Sequence, residues 1–176
     1  DQVNMLLEKY NRPVLIEEFI EGDEVDVSVV GNEDRVKVLP LSRSIFDELP
    51  KGTWGIYPFQ AKWESESVYS KIRVERPAKY SQKLSTLISE ICLDAYRMFD
   101  CHDYARIEVR VDKAGNPYIL EINPNPSISD GDCVPACAEV VGQNYPDFIE
   151  EIMKECIRRY RAKPPYYHLQ SAMAPI

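Results

Sequence analysis

Two runs with alternating character, Tyr104–Asp112 and Pro117–Asn123, constrain this chain more than any other feature. They are separated only by Lys113-Ala114-Gly115-Asn116, a connection of hairpin length and composition. Strand side chains alternate between faces, so a turn centred on Ala114-Gly115 sets Glu108 opposite Glu121 and Arg106 opposite Asn123. All four then share one polar face. The other face carries Ala105, Ile107, Val109 and Val111 against Tyr118, Leu120 and Ile122, and is expected to pack on helices.

Two directly opposed carboxylates repel, with Cβ atoms about 5 Å apart. A hard dication relieves that repulsion, and two carboxylates with the Asn123 amide oxygen suit Mg²⁺ (or Mn²⁺), which takes its remaining ligands from water or phosphate. Arg106 alongside offers a fixed fork of donors for a phosphate or an oxyanion. The alternative is a solvent-facing hairpin whose Arg106, Glu108 and Glu121 form ordinary surface ion pairs. The run Glu121-Ile-Asn-Pro-Asn-Pro126 favours the first reading, because it ends the strand in a rigid loop beside these polar groups.

The remaining chain reads as α+β. Val3, Leu6, Leu7 and Tyr10 have helical spacing, closed by Asn11-Arg12-Pro13. Val14–Ile20 reads as a buried strand and Glu21-Gly22-Asp23 as a turn. Glu24–Val30 alternates, with Val25, Val27 and Val29 opposite Asp26 and Ser28, and Val36–Leu41 is its expected partner. Residues 42–79 lack periodicity and are expected to form a long ordered loop with short extended pieces. An amphipathic helix runs from Leu84 to Phe99, and a short one ends near Gly142. The last, from about Pro146 to Arg161, is expected to bury Phe148, Ile149, Ile152, Met153, Cys156 and Ile157. The Pro- and Tyr-rich residues 162–176 read as a tail.

Composition excludes some functions. With 29 acidic against 21 basic residues the net charge is −8, the wrong sign for a nucleic-acid binder. No apolar run reaches the roughly 20 residues of a membrane span. Five cysteines without paired Cys-x-x-Cys elements read as the reduced thiols of a cytoplasmic protein. His102 and His168 have no recognisable Ser or Cys partner, which argues against a hydrolase triad.

The run from Tyr104 to Pro126 resembles the signature of the ATP-grasp ligases near D-alanine–D-alanine ligase, and the resemblance extends from about Val14 to Arg158. It implies a partial ATP-grasp fold of antiparallel sheets flanked by helices. It further implies that Glu108, Glu121 and Asn123 hold Mg²⁺ on ATP phosphates and that Arg106 stabilises the tetrahedral intermediate. Ile16-Glu-Glu-Phe-Ile-Glu-Gly-Asp-Glu24 is similar to the family's adenine hinge. Glu17 and the backbone of Glu18 and Ile20 would meet the purine, and Glu24 the ribose. Tyr57-Pro-Phe-Gln-Ala-Lys-Trp63 resembles the element whose lysine, here Lys62, sits on the transferred phosphate. In this scheme residues 1–41 belong to a small lobe, 42–79 to the phosphate loop and 80–161 to a large lobe.

The expected activity is an ATP-dependent carboxylate–amine ligation of an amino-acid or other carboxylate substrate through an acyl phosphate. A homodimer is compatible with it. The alternative is a non-catalytic nucleotide-binding or regulatory module. Two departures bear on this choice. Ser127 stands where the family has Gly, and Asp130-Gly131-Asp132 aligns with its Ser-x-Ser, which favours a cationic or amine substrate over a second D-alanine. The two ATP-gripping lysines and glycine-rich loop that precede the hinge in the family are not found in residues 1–13. The chain is therefore expected to be a C-terminal fragment with weak nucleotide binding.

Overall fold

In a computed structural model, residues 2–57 and 68–162 are described. Among them, six strands form one antiparallel sheet in the order β4-β3-β1-β5-β6, with β2 also pairing β1. The strands are β1 (Gly22–Val30), β2 (Lys37–Val38), β3 (Ser42–Ile45), β4 (Arg73–Glu75), β5 (Tyr104–Asp112) and β6 (Pro117–Asn123). Helix α1 is Gln2–Tyr10, α2 Gln82–Met98, α3 Cys133–Val140 and α4 Tyr145–Ala162. None of these helices is long and apolar enough to cross a membrane.

The centre of the sheet is the β1–β5 pair, in register from Gly22–Asp112 to Val30–Tyr104. Apart from Asp23, the odd-numbered residues of both strands are apolar, and Val25, Val27, Val29, Ala105, Ile107 and Val109 are fully buried. They pack on α2 through Ile88, Cys92, Ala95 and Tyr96. Ser81 caps α2 by accepting the Leu84 N–H, which fixes where that helix begins. On the even-numbered face, Val30 and Tyr104 pack with Val134, Cys137 and Phe148 of α3 and α4. That helical pair covers one end of the polar face and leaves the other open for a site.

A buried ion pair secures α4. Asp103 accepts from Arg159 Nε at 3.1 Å and from Asn32 Nδ2 at 2.8 Å, and Glu155 accepts from Arg35 at 3.1 Å. These bonds explain a departure from the expected packing of this helix. Glu155 is buried, while Met153 and Ile157 are 57% and 47% exposed, so the face chosen by hydropathy alone is rotated from the face that docks.

Four further expectations are corrected. Val14–Ile20 is not a buried strand: it pairs with no described strand, and Leu15 and Ile16 are 79% and 73% exposed. Apolar content imitated burial there, whereas the segment is held through polar and ring contacts of Ile20 and Phe19. Gly22 begins β1 rather than closing a turn, because its backbone lies so close to β5 that a Cβ would meet Val111 O at 1.9 Å. The partner expected over Val36–Leu41 shrinks to Lys37–Val38. In the hairpin the register holds from Arg106–Asn123 to Glu108–Glu121, then shifts so that Val109 faces Ile119. Leu120 is the extra residue of this bulge; of the three residues expected on the packed face, Ile122 does pack against the core, while Tyr118 and Leu120 are exposed.

The boundaries expected at 41/42 and 79/80 do not divide the sheet, since β1, β3, β4, β5 and β6 from all three segments hydrogen-bond into it. Lys62, Trp63 and the 163–176 tail lie outside the described residues.

Candidate functional site

Strand register assembles the polar face. Glu121, Glu108, Asp26 and Ser42 stand abreast on β6, β5, β1 and β3. On one side of this row lie Asn123, Arg106 and Ser28, and on the other Arg110, Glu24 and Ser44. Three carboxylates on adjacent strands is an arrangement that disfavours itself unless cations intervene.

Arg106 is one such cation. Its Nη2 donates to Glu108 Oε1 at 2.6 Å and its Nε lies 3.3 Å from Asp26 Oδ1. Burial works against its charge, but Asp26 and Glu108 outweigh that effect and raise its pKa further. The guanidinium is thus charged and clamped between two strands, and its remaining N–H groups are available to a ligand.

Arg110, only 3% exposed, organises the neighbouring region. It donates to the carbonyls of Ile20 at 2.9 Å, Gly22 at 2.9 Å and Gly55 at 2.7 Å, and to Glu24 Oε2 at 3.1 Å. The Phe19 ring covers it at 4.9 Å, and Trp54 meets Phe19 edge-on at 4.8 Å. One side chain therefore ties the 14–21 segment, β1 and the loop after β3 together. Glu24 receives Arg110 and the Tyr57 N–H on the same oxygen, Oε2, which leaves Oε1 for another donor. Its pKa is raised by burial, in excess of what Tyr57 and Arg110 offset.

A cavity of about 600 Å³ opens over the middle of the row, at Asp26 and Glu108, lined also by Glu24, Arg76, Arg106 and Asp132. Ser127 donates to Asp132, so Asp132 turns toward the 124–131 loop and makes no side-chain cap on α3. Cys133 also lines the cavity. Its hydrogen bond with Cys137, then its burial, push its thiol pKa up. All five cysteines are free.

Among the described residues no three His, Cys, Asp or Glu side chains converge as metal ligands. The three residues expected to hold a divalent cation, Glu108, Glu121 and Asn123, stand on facing strands of the hairpin. Asn123 Oδ1 accepts the Asn125 N–H at 3.0 Å, which orients the amide and leaves its second lone pair for a metal. Hard oxygen donors, few in number and open to solvent through exposed Glu121, fit Mg²⁺ with water and phosphate completing its shell.

The structure thus brings Arg106 and Glu108 into contact and aligns Glu121 and Asn123 with them. Glu24 lies on the same face. Glu17 and Glu18 are exposed on the extended segment, with Ile20 fixed through its carbonyl. Asp26, Arg76 and Arg110 are site residues that the sequence reading missed. For Asp26 the signal was present, because its alternation placed it on the polar face of β1. The β1–β5 pairing that sets it beside Glu108 spans distant segments and was not deducible from either alone.

Comparison with known proteins gives a consistent result. The family model for the D-ala D-ala ligase C-terminus matches residues 2–154. An uncharacterized protein, y4sG, from Sinorhizobium fredii is 35% identical over 160 residues, covering 90% of this chain and 45% of that protein. A D-alanine–D-alanine ligase from Pelotomaculum thermopropionicum is 32% identical over 145 residues, covering 82% of this chain and 42% of the ligase. The crystal structure of the Bacillus anthracis D-alanine–D-alanine ligase complexed with ATP superposes with a TM-score of 0.68 at 20% identity. It covers 91% of this chain and 47% of that one. The fold is accordingly an ATP-grasp portion. The chain spans less than half the length of each of these relatives.

Proposed function

The chain belongs to the D-ala D-ala ligase C-terminal family, and from that premise we propose that it supplies the metal and phosphate side of an ATP-dependent carboxylate–amine ligase. One observation carries this reading: Arg106, Glu108, Glu121 and Asn123 occupy opposed positions at the end of one hairpin, beside a cavity of about 600 Å³.

In this reading ATP phosphorylates a substrate carboxylate, giving ADP and an acyl phosphate. An amine then attacks the acyl carbon, phosphate leaves, and an amide forms. Glu108, Glu121 and Asn123 would hold Mg²⁺. The ion supplies charge neutralisation for the phosphates when bound. Arg106, preset by Asp26 and Glu108, presents its free N–H groups to the oxyanion of the tetrahedral intermediate and needs no reorganisation to do so. Lys62 is assigned to the transferred phosphate by its motif. Glu24 offers Oε1 to the ribose hydroxyls, while the exposed apolar residues around Glu17, Glu18 and Ile20 form one side of a purine slot. The Ile20 carbonyl is taken by Arg110, so Ile20 would meet the purine through its N–H. The work of these residues is positioning and electrostatics, and no nucleophilic side chain is required.

The test is amine-dependent release of phosphate from ATP by the full-length protein across a panel of amino acids, with Glu108→Gln alongside. Turnover by the wild type that Glu108→Gln abolishes is the expected result. Nucleotide binding without turnover for any carboxylate–amine pair would favour a regulatory module instead.

A further inference from the structure

We propose that Arg76 anchors the carboxylate of the amino acid that supplies the amine, a subsite that rests on the ligase reading above. Among the described residues the other well-buried arginines have carboxylate partners: Arg43 pairs with Asp23 and Glu75, Arg106 with Asp26 and Glu108, Arg110 with Glu24, and Arg159 with Asp103. Arg76 is half-buried in the wall of the same cavity, yet no described Asp or Glu lies within ion-pair distance of it. Its Nε donates to Ser42 Oγ at 3.0 Å. That bond fixes the plane of the guanidinium and leaves both terminal nitrogens, the pair that grips a carboxylate in two parallel hydrogen bonds. A cation held at a cavity wall without a protein counter-ion is a site for an anion.

Position separates this anion from the nucleotide phosphates. Ser42 is three strand spacings from Glu121 along the row β6-β5-β1-β3, or about 14 Å at 4.7–4.9 Å per spacing. The proposed metal and phosphates occupy the β5–β6 end, and Arg76 the β3 end. Between them the cavity is lined by Asp26 and Asp132, whose negative charge suits an ammonium or amine. A zwitterionic amino acid matches this order of charges, with its amino group on the Asp26 and Asp132 side and its carboxylate on Arg76. A simple amine lacks the second contact.

The experiment is calorimetric titration of the full-length protein loaded with ADP–Mg²⁺, using the twenty common L-amino acids, D-alanine, and the matching amino-acid amides. At least one amino acid should bind more tightly than its amide. Arg76→Gln should weaken the acid by about 10- to 100-fold, the loss expected for a charge-assisted pair, and leave the amide unchanged. Arg76→Lys should recover part of the loss, which separates the charge from any defect in folding. Affinity for ADP–Mg²⁺ should be the same in all three proteins. A fall in ADP–Mg²⁺ affinity in Arg76→Gln would assign Arg76 to phosphate and overturn the subsite while leaving the ligase reading intact. So would intact nucleotide binding with no amino acid bound, or with acid and amide bound alike. Failure of the wild type to bind ADP–Mg²⁺ would instead overturn the ligase reading, and the subsite with it.

Discussion

Replacing Gly22 by alanine tests how closely the start of β1 is bound to β5. An alanine Cβ would stand 1.9 Å from Val111 O and 2.9 Å from Val111 C. Ordinary carbon–oxygen contacts are about 3.3–3.6 Å, so the strands must separate by more than 1 Å there, roughly. The obstacle is backbone within a central pair and cannot rotate aside. Separation strains the Gly22–Asp112 end of the ladder and the Arg110 bond to Gly22 O at 2.9 Å. Losing or weakening two such bonds, one of them charged, costs about 2–4 kcal/mol. For a domain of this size that lowers the melting temperature by roughly 4–16 °C, at about 2–4 °C per kcal/mol. Gly115→Ala is the control. It has positive φ of 87° but nothing within 4 Å of a Cβ, so it carries only conformational strain of about 1–2 kcal/mol. Thermal unfolding of both variants is the assay. A Gly22→Ala protein no less stable than Gly115→Ala would refute the close approach of Gly22 to β5.

Two other outcomes are expected. Asp103 loses solvation on burial, but its bonds from Arg159 and Asn32 outweigh this and hold its pKa below the usual carboxylate range. The stability it contributes is therefore present above its unfolded pKa of about 3.9 and lost as pH falls through the lower folded value. Asp103→Asn should cost about 3–5 kcal/mol at pH 7 in urea unfolding, with the gap to wild type narrowing as pH falls below the unfolded value; an unchanged gap at low pH would exclude the charge as its source. Arg106→Lys keeps a charge but cannot reach Asp26 and Glu108 at once. If the full-length protein is the proposed ligase, the substitution should lower turnover by about 10²-fold with little change in KM for ATP. An equal rise in that KM would assign Arg106 to ground-state nucleotide binding instead.

Strand periodicity carried much of this structure. Both hairpin strands begin and end at the residues expected from alternation, and Glu108 does face Glu121 as expected, although the turn sets Val111 opposite Pro117 and the extra residue Leu120 is needed to reach that opposition. The bulge at Leu120 was invisible because a single extra residue leaves local alternation and composition nearly unchanged. Burial was misjudged where tertiary partners decide it, as at Leu15 and Ile16, which are apolar yet exposed, and at Glu155, which is charged yet buried by Arg35 and Arg158. Asp26, Arg76 and Arg110 join the site through strand pairings between distant segments. Their roles depend on which strand lies beside which, a property that neither periodicity nor local motif encodes.

The most direct test of the central claim is the thermal shift of this chain with ADP, with and without Mg²⁺, compared with Glu121→Gln. At about 100 times its dissociation constant a ligand adds roughly 2.7 kcal/mol, a rise of about 5–11 °C for a chain of this length. The expected result is a Mg²⁺-dependent rise that Glu121→Gln abolishes without lowering the unliganded melting temperature. A rise of equal size in Glu121→Gln, or one indifferent to Mg²⁺, would contradict a metal–nucleotide site on the hairpin.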